Sequence, residues 1–352
     1  MAGGKRVISA AICASLLALG VVVGLGTNST YGCGGRSATK VKDLETMKEV
    51  IDCVSERQNG RRGYSVGRAS SALTAQHNSF TVIEKSNVYM TASVSGERSS
   101  DSKLSFSRTL SAYYGADADY YESEVLLSSS SSASTSGWSS KTKTALDMKV
   151  KIYLSEESAM LYICRLNYFE FNEYEDYRYP EESKKETKAD TLEGKQMNIL
   201  KEYCNCWIDC SDSPEAALSF LEINNSNLEA LSHISRFLVN SSSSEDKTFK
   251  RKGDVYQMRE NAMLDFFGLS SYKDDAEIKG SVTVDLSSAT QPEFFYDMSV
   301  KTEGSVLGVS YVYADDSYLF KNIDSTVVKK PKIKGVDISE INDRMDEIEE
   351  DD

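Results

Sequence analysis

Histidine is scarce in this sequence, which has 2 His among 352 residues, His77 and His233. The motifs G-x-S-x-G, G-x-x-x-x-G-K-[ST] and H-E-x-x-H, which position a nucleophile, a phosphate or a zinc ion, are absent. His233 falls within an amphipathic helix pattern, where a satisfied structural histidine is the ordinary interpretation. Adjacent acids such as Asp274-Asp275 and Asp315-Asp316 are typical of turns and solvated faces. The sequence therefore predicts no catalytic residues, no cofactor and no enzymatic activity.

Positive charge is also in deficit, because 40 Lys and Arg oppose 54 Asp and Glu, for a formal net charge of -14. An acidic body repels phosphate backbones, so nucleic acid is not an expected partner. It should also avoid anionic lipid surfaces, except through an anchor. The hydrophobic content of 40%, with 20 Tyr and 12 Phe, is sufficient for a packed core and argues against global disorder.

The number of cysteines does not fit a framework in which every cysteine is paired in a disulfide. Of 7 Cys, Cys13 and Cys33 belong to the N-terminal region, and the odd remainder is Cys53, Cys164, Cys204, Cys206 and Cys210. The cluster at 204–210 lacks C-x-x-C spacing and a second pair, so no metal site is predicted. Disulfide pairing and buried or free thiols stay open as alternatives. If residues 193–210 are helical, Cys206 and Cys210 share a face and Cys204 does not.

Charge is missing altogether from one long run, Val7–Gly26, which spans twenty residues. A helix of that length reaches about 30 Å, the thickness of the hydrocarbon core of a bilayer. Lys5 and Arg6 precede the run and favour a cytoplasmic N-terminus, which sends the remainder out of the cell. Residues 1–33 therefore predict either an uncleaved signal anchor or a lipoprotein signal peptide with lipid attached at Cys33. Simple secretion and a buried core helix are the further alternatives.

Residues 34–39 read as a linker, and residues 40–331 as one extracytoplasmic domain. Helical periodicity over Val41–Arg57 is followed by period-two alternation, clearest in Lys143–Leu154. Between strand candidates, Ser128–Ser140 contains five consecutive serines and predicts a flexible loop, or a seam between two domains.

The middle of the chain predicts helices over 193–207, 214–223, 227–239 and 260–269, and alternation then returns in four segments up to Ile323. The order helix, strands, helices, strands is typical of an α+β fold, with an antiparallel sheet and helices packed on one side. Residues 332–352 form a charged tail. Its apolar residues Ile338, Ile341, Met345 and Ile348 fall at helical spacing, which indicates a solvated, fraying helix or a segment that docks on the body or on a partner.

Two segments carry a resemblance to a known class. Gly32-Cys33-Gly34-Gly35 before a linker and an amphipathic helix resembles the start of Gram-positive lipoproteins, although Thr30 departs from the usual apolar residue. Gly280–Leu286, Pro292, Phe320–Asp324 and Pro331 resemble the last strands of LolA- and LppX-like cell-envelope lipoproteins. The match covers about a quarter of the chain, and the serine run and the cysteine cluster depart from it. It implies a strongly curved antiparallel sheet with helices in its hollow, and apolar or lipid cargo.

Together these features predict a non-catalytic protein on the outer face of a plasma membrane that binds an apolar or lipid-like ligand. The aromatic residues on alternating strands would line a hollow between sheet and helices. The alternative is a surface interaction or envelope-structural module that acts through protein–protein contacts, using the Tyr174–Tyr179 stretch or the acidic tail. The sequence names neither the ligand nor a protein partner.

Overall fold

The computed structural model describes residues 39–62, 77, 79–95, 99–187, 191–221, 234–238, 248–270, 276–304, 308–332 and 335–351. The predicted anchoring helix, Cys33 and all of the linker except Thr39 lie outside these residues. No helix within the described part of the chain combines the length and the apolar character needed to cross a membrane.

Most of the described chain belongs to one sheet of 13 strands. The strands are β1 Phe80–Val94, β2 Ser99–Tyr114, β3 Ala118–Ser134, β4 Trp138–Ser155, β5 Ala159–Asp176, β6 Lys184–Thr187, β7 Trp207–Asp209, β8 Phe249–Lys252, β9 Val255–Met258, β10 Glu277–Asp285, β11 Glu293–Gly304, β12 Gly308–Lys321 and β13 Val336–Asp337. Strands β1–β5 form a meander, and β12 returns to pair with β1. The pairings are antiparallel except that of β13 with β7.

The helices are α1 Leu44–Arg62, α2 Leu192–Glu202, α3 Pro214–Leu218, α4 Glu260–Phe266 and α5 Ile338–Asp351, and residues 234–238 are also helical. The predicted helix over 193–207 is therefore too long. It ends at Glu202, and Trp207 already begins a strand. With antiparallel pairing dominant and helices segregated along the chain, the predicted α+β class is confirmed in this broad form.

Alternation along each strand divides the sheet into two faces. The face that carries Val82, Ala112, Tyr121, Ile152 and Leu161, a single cross-strand row, is called the inner face. All five side chains are buried, and they belong to one hydrophobic core. Buried residues of the helices join that core, among them Ile51 of α1, Leu200 of α2 and Ile341 of α5. The inner face is therefore the packed side of the sheet, and the opposite side is called the outer face.

The serine run is not the predicted loop. Ser128–Ser132 lie inside β3, and the chain turns only at residues 135–137 before β4 begins at Trp138. Each of these serines is paired in register with both β2 and β4. Two neighbouring strands therefore take up the backbone hydrogen bonds, so the run needs no buried apolar surface of its own to be ordered. The same two pairings exclude a domain seam at this point.

The charged tail is part of the fold, which supports its docking on the body and contradicts a solvated, fraying helix. Ile338, Ile341 and Met345 of α5 are buried in the main core. Arg344 Nη1 lies 2.8 Å from Glu202 Oε2 of α2. Gly335 permits the approach, because a Cβ there would lie 2.7 Å from the backbone nitrogen of Asp209 in β7.

Candidate functional site

The predicted thiol cluster is dispersed over separate elements. Cys204 and Cys206 lie in the turn between α2 and β7, where Asn205 takes a positive φ of 66°. Cys210 follows β7, and Cys164 occupies a β-bulge of β5 opposite Lys149 and Val150 of β4. Cys164, Cys204, Cys206 and Cys210 carry free thiols. No disulfide joins these four thiols in the structure. The shared helical face expected for Cys206 and Cys210 is wrong, since neither residue is helical.

Burial makes three of these thiols, those of Cys164, Cys204 and Cys210, poor nucleophiles, whereas Cys206 is exposed. Burial raises the pKa of Cys210 to about 12 and also raises the pKa of Cys164 and of Cys204. A thiol with a raised pKa carries little thiolate at neutral pH, and thiolate is the reactive and metal-binding form. Within the described ranges no group of three or more His, Cys, Asp or Glu side chains is arranged to hold a metal ion.

A set of polar side chains interrupts the apolar inner face and is called the inner polar cluster. It consists of Glu84 and Ser86 of β1, Arg108 of β2, Tyr296 of β11, and Asp316 and Tyr318 of β12. Arg108 Nη2 donates to Glu84 Oε1, and the Tyr296 hydroxyl donates to Asp316 Oδ2. The Arg108, Glu84 and Asp316 side chains are nearly inaccessible to solvent. Buried charges of this kind persist only when they are paired or neutralised.

The inner polar cluster has no excess charge if Asp316 is protonated. Burial raises the pKa of Asp316 well above its ordinary value, and the nearby Glu84 carboxylate raises it further. Burial also raises the pKa of Tyr318, so that hydroxyl stays neutral. The Arg108 guanidinium and the Glu84 carboxylate are then the charged groups that remain, and they form an ion pair. We assign this cluster a structural role, because packed core surrounds it.

His77 and Asp324 form a second pair, in which the His77 side chain is buried and that of Asp324 is partly exposed. His77 Nδ1 lies 2.8 Å from Asp324 Oδ2, which also accepts a hydrogen bond from Thr39 Oγ1 at 2.6 Å. The backbone nitrogen of Asp324 donates to the carbonyl of Ser79 at 2.6 Å. These contacts tie the segment before α1 and the start of β1 to the turn after β12.

Among the residues that the structure describes, an aromatic pocket on the outer face is the strongest candidate for ligand binding. Tyr113 of β2 and Tyr120 of β3 stand opposite each other in register, with ring centroids 5.9 Å apart. Trp207 of β7 points to the same face and packs on Tyr162 of β5 at 5.2 Å. The pocket between Tyr113, Tyr120 and Trp207 has a volume of about 300 Å³. Because the rings come from strands that are paired along their length, their positions are set by the sheet.

The second wall of the outer pocket is the strap, defined as residues 326–332. It leaves the end of β12, and Thr326 Oγ1 lies 2.9 Å from Thr81 Oγ1 on the outer face of β1. Val328 packs beside Tyr113 and Trp207 in a small second apolar cluster, and a Cβ on Gly115 would meet Val328 at 3.3 Å. The strap therefore crosses the outer face of the meander on its way to β13, and it encloses the aromatic floor from one side.

The strap also supplies charge to the outer pocket. Lys329, Lys330 and Lys332 line it together with Pro331 and Val327. All three lysines are exposed, and none of them forms an ion pair with another residue of the described chain. The nearby carboxylate of Glu122, which accepts a hydrogen bond from Tyr120, is bound at 3.2 Å by Lys151 instead. In a chain of net charge -14, the pocket thus combines aromatic rings with exposed positive charge that no carboxylate of the described residues pairs with.

Sequence reasoning missed the outer pocket for a specific reason. Tyr113, Tyr120 and Trp207 are far apart in the sequence, and only strand register brings them to one face. The lysines lie at the start of the charged C-terminal region of the sequence, where a charge run is ordinary. One signal in the sequence could have indicated the pocket: Lys329, Lys330 and Lys332 form a basic cluster in an otherwise acidic C-terminal region.

Comparison with known proteins does not assign a family. No family model matches the chain, and no curated protein sequence matches it. Among solved structures, it is similar to the translocator domain of autotransporter NalP from Neisseria meningitidis, at 7% sequence identity. That similarity covers 79% of this chain and 98% of that chain, with a TM-score of 0.19, which is too low to support any argument.

Proposed function

We propose that this protein is a non-catalytic binding protein that holds an apolar or lipid-like ligand with an anionic group in the outer pocket. The single observation that supports this is the combination of Tyr113, Tyr120 and Trp207 with three exposed lysines. Aromatic rings provide apolar surface of fixed shape, and exposed ammonium groups attract an anionic headgroup. This places the ligand on the outer face, instead of the hollow between sheet and helices that the sequence suggested.

The pocket is suited to an amphiphile, for two reasons. Its floor is aromatic ring surface, and the strap adds the aliphatic side chain of Val328 and the charges of Lys329, Lys330 and Lys332 at one wall. An acyl chain or ring system would lie on the tyrosines and Trp207 while a carboxylate or phosphate meets the lysines. We also infer that the sheet curves around its helices. The continuous core that the inner face shares with α1, α2 and α5 supports this curvature.

Myristate is expected to bind at the outer pocket and to change the fluorescence of Trp207. The chain has 2 Trp, so a Trp138→Phe variant leaves Trp207 as the sole tryptophan reporter. In that background, changing Lys329, Lys330 and Lys332 to Gln should weaken myristate binding about 10- to 100-fold. Each exposed ion contact is worth about 0.5–1 kcal/mol. Titration at low salt and at high salt measures the effect, since screening should reproduce part of the loss.

The matched control is a second triple variant, Lys103→Gln, Lys250→Gln and Lys252→Gln, which makes the same charge change at exposed positions elsewhere. Tetradecanol, with an apolar chain and no charge, tests the anionic part of the ligand. Equal affinity of myristate for both triple variants, or no fluorescence response at all, would show that the outer pocket is not the site.

We further propose that the protein is tethered to the outer face of a plasma membrane through its N-terminal region. The apolar run Val7–Gly26 and the Gly32-Cys33 sequence support this. Cells labelled with a radioactive fatty acid should incorporate label into the wild-type protein and none into Cys33→Ala. Label in both proteins would exclude Cys33 as the attachment point. If neither protein is labelled and both remain in the membrane fraction, the uncleaved signal anchor is the tether.

Exposed tyrosines favour a second candidate function, a surface module that acts through protein–protein contacts. Tyr177 and Tyr179, after β5, are 56% and 53% exposed. Tyrosine is enriched at protein interfaces because it offers a large rigid ring and a polar end. The acidic tail no longer supports this function, since α5 is docked on α2. The myristate titration separates the two functions, because an interface at Tyr177 and Tyr179 predicts no response of Trp207.

A further inference from the structure

A second concave site lies on the outer face, in the middle of the meander. It is called the outer groove and has a volume of about 380 Å³. Its lining comes from β2, β3, β4 and β5, whose cross-strand rows are fixed by register: Ser107, Leu126, Asp147 and Asn167 in one row, and Ser105, Ser128, Ala145 and Phe169 in the next. The groove is therefore built on paired strands, not on loops, and its shape is set by the sheet.

Two large apolar side chains stand exposed in the outer groove. Leu126 is 48% exposed and Phe169 is 50% exposed, although both belong to central parts of long strands. Between them, at the positions of Ala145 and Ser128, the side chains are small. Phe169 thus presents a ring beside a shallow floor, which leaves room for a flat molecule to lie on it.

The other lining groups on the outer face are hydrogen-bonding and almost uncharged, and the core residues Leu127, Leu146 and Tyr168 complete the lining. Ser105, Ser107 and Ser128 present hydroxyls, which can donate and accept, and Asn167 presents an amide. Asp147 is the one ionic lining group, and its charge is compensated, because Arg165 Nε donates to Asp147 Oδ1 at 2.7 Å. Asn167 Nδ2 also contacts Asp147 Oδ2, at 3.5 Å. Asp147 is thereby held in place as an acceptor without leaving net charge in the groove.

We propose that the outer groove binds a neutral saccharide chain. A sugar ring has an apolar face that stacks on Phe169 and Leu126, and hydroxyls around its rim that pair with serine, Asn167 and Asp147. A lipid would leave these hydroxyls unpaired, which costs free energy, and an anionic ligand would find no uncompensated positive charge. This site is distinct from the outer pocket and does not rest on the function proposed there.

The test uses the full chain and two defined probes, the N-acetylglucosamine tetramer and cellotetraose. Saturation-transfer NMR should detect binding of at least one of them, with transfer strongest to ring protons of the apolar face. Phe169→Ala should weaken that binding roughly fivefold, since an aromatic contact is worth about 1 kcal/mol. Leu126→Ser and Asn167→Ala should each weaken it as well. Tyr177→Ala, another exposed aromatic residue outside the groove, should leave it unchanged.

Three outcomes would overturn the proposal. The first is that neither tetramer binds. The second is that Phe169→Ala and Leu126→Ser, shown to be folded by circular dichroism, bind as the wild type does. The third is concentration-dependent self-association in sedimentation that Phe169→Ala abolishes while no tetramer binds, which would identify the groove as an interface between copies of the chain.

Discussion

Replacing Arg108 by methionine is expected to lower the free energy of unfolding by about 3–5 kcal/mol. The Arg108 and Glu84 side chains are only 4% and 5% exposed, and they form an ion pair across β1 and β2. Methionine fills a similar volume but leaves the Glu84 carboxylate buried without its guanidinium partner. Glu84 must then either keep an uncompensated charge in the core or take up a proton, and both cost stability.

The double variant Arg108→Met and Glu84→Met distinguishes this electrostatic loss from a packing loss. Removing both charges should restore stability to near the wild-type value or above it, because the desolvation cost of the pair disappears as well. Urea unfolding of wild type, Arg108→Met, Glu84→Met and the double variant gives the coupling energy. Arg165→Met is the matched control: Arg165 is 41% exposed and its pairs with Glu124 and Asp147 lie on the outer face, so its loss should cost about 1 kcal/mol or less. A double variant as unstable as Arg108→Met would refute the electrostatic account.

The parts of the fold that sequence reasoning found are those where a strand has one buried and one solvated face. Lys143–Leu154 alternates because Met148, Val150 and Ile152 face the core. The same strand begins earlier, at Trp138, where its side chains are only half buried or exposed and the alternation stops. Ser128–Ser132 lie opposite that part of β4, so a serine strand is tolerated there. Composition alone cannot reveal that the serine run is a strand, because its ordered conformation depends on pairing with the two neighbouring strands.

The candidate sites could not be predicted because they depend on register. Trp207 reaches the face of Tyr113 and Tyr120 only because β7 pairs with Met160–Tyr162 of β5. A slip of one residue in any of these strands would move its ring to the other face. Cysteine spacing was a weaker guide, since Cys204 and Cys206 share the turn before β7 while Cys210 lies beyond that strand.

Replacing Asp316 by asparagine is expected to stabilise the protein relative to wild type increasingly as pH rises. The raised native pKa of Asp316 means that the native state holds this proton more tightly than the unfolded chain does, for which the pKa is about 3.9. Its contribution to stability is therefore fully present below about pH 4 and is lost as pH rises toward the native pKa. The loss is about 1.4 kcal/mol per pH unit. Asparagine has nearly the same shape, has no proton to lose, and can still accept the hydrogen bond from Tyr296.

Urea unfolding of wild type and Asp316→Asn at pH 5, 6, 7 and 8 measures this difference. The groups that face Asp316 are Ser86, Glu84, Arg108, Tyr296 and Tyr318, and all five are retained in the variant. Asp315→Asn removes a carboxyl from the adjacent position of β12, on the outer face beside Asn87, and is the matched control. A gap between wild type and Asp316→Asn that stays constant from pH 5 to pH 8 would mean that Asp316 is already ionised in the core. In that case the inner polar cluster would carry a net negative charge, and Arg108 would serve both carboxylates.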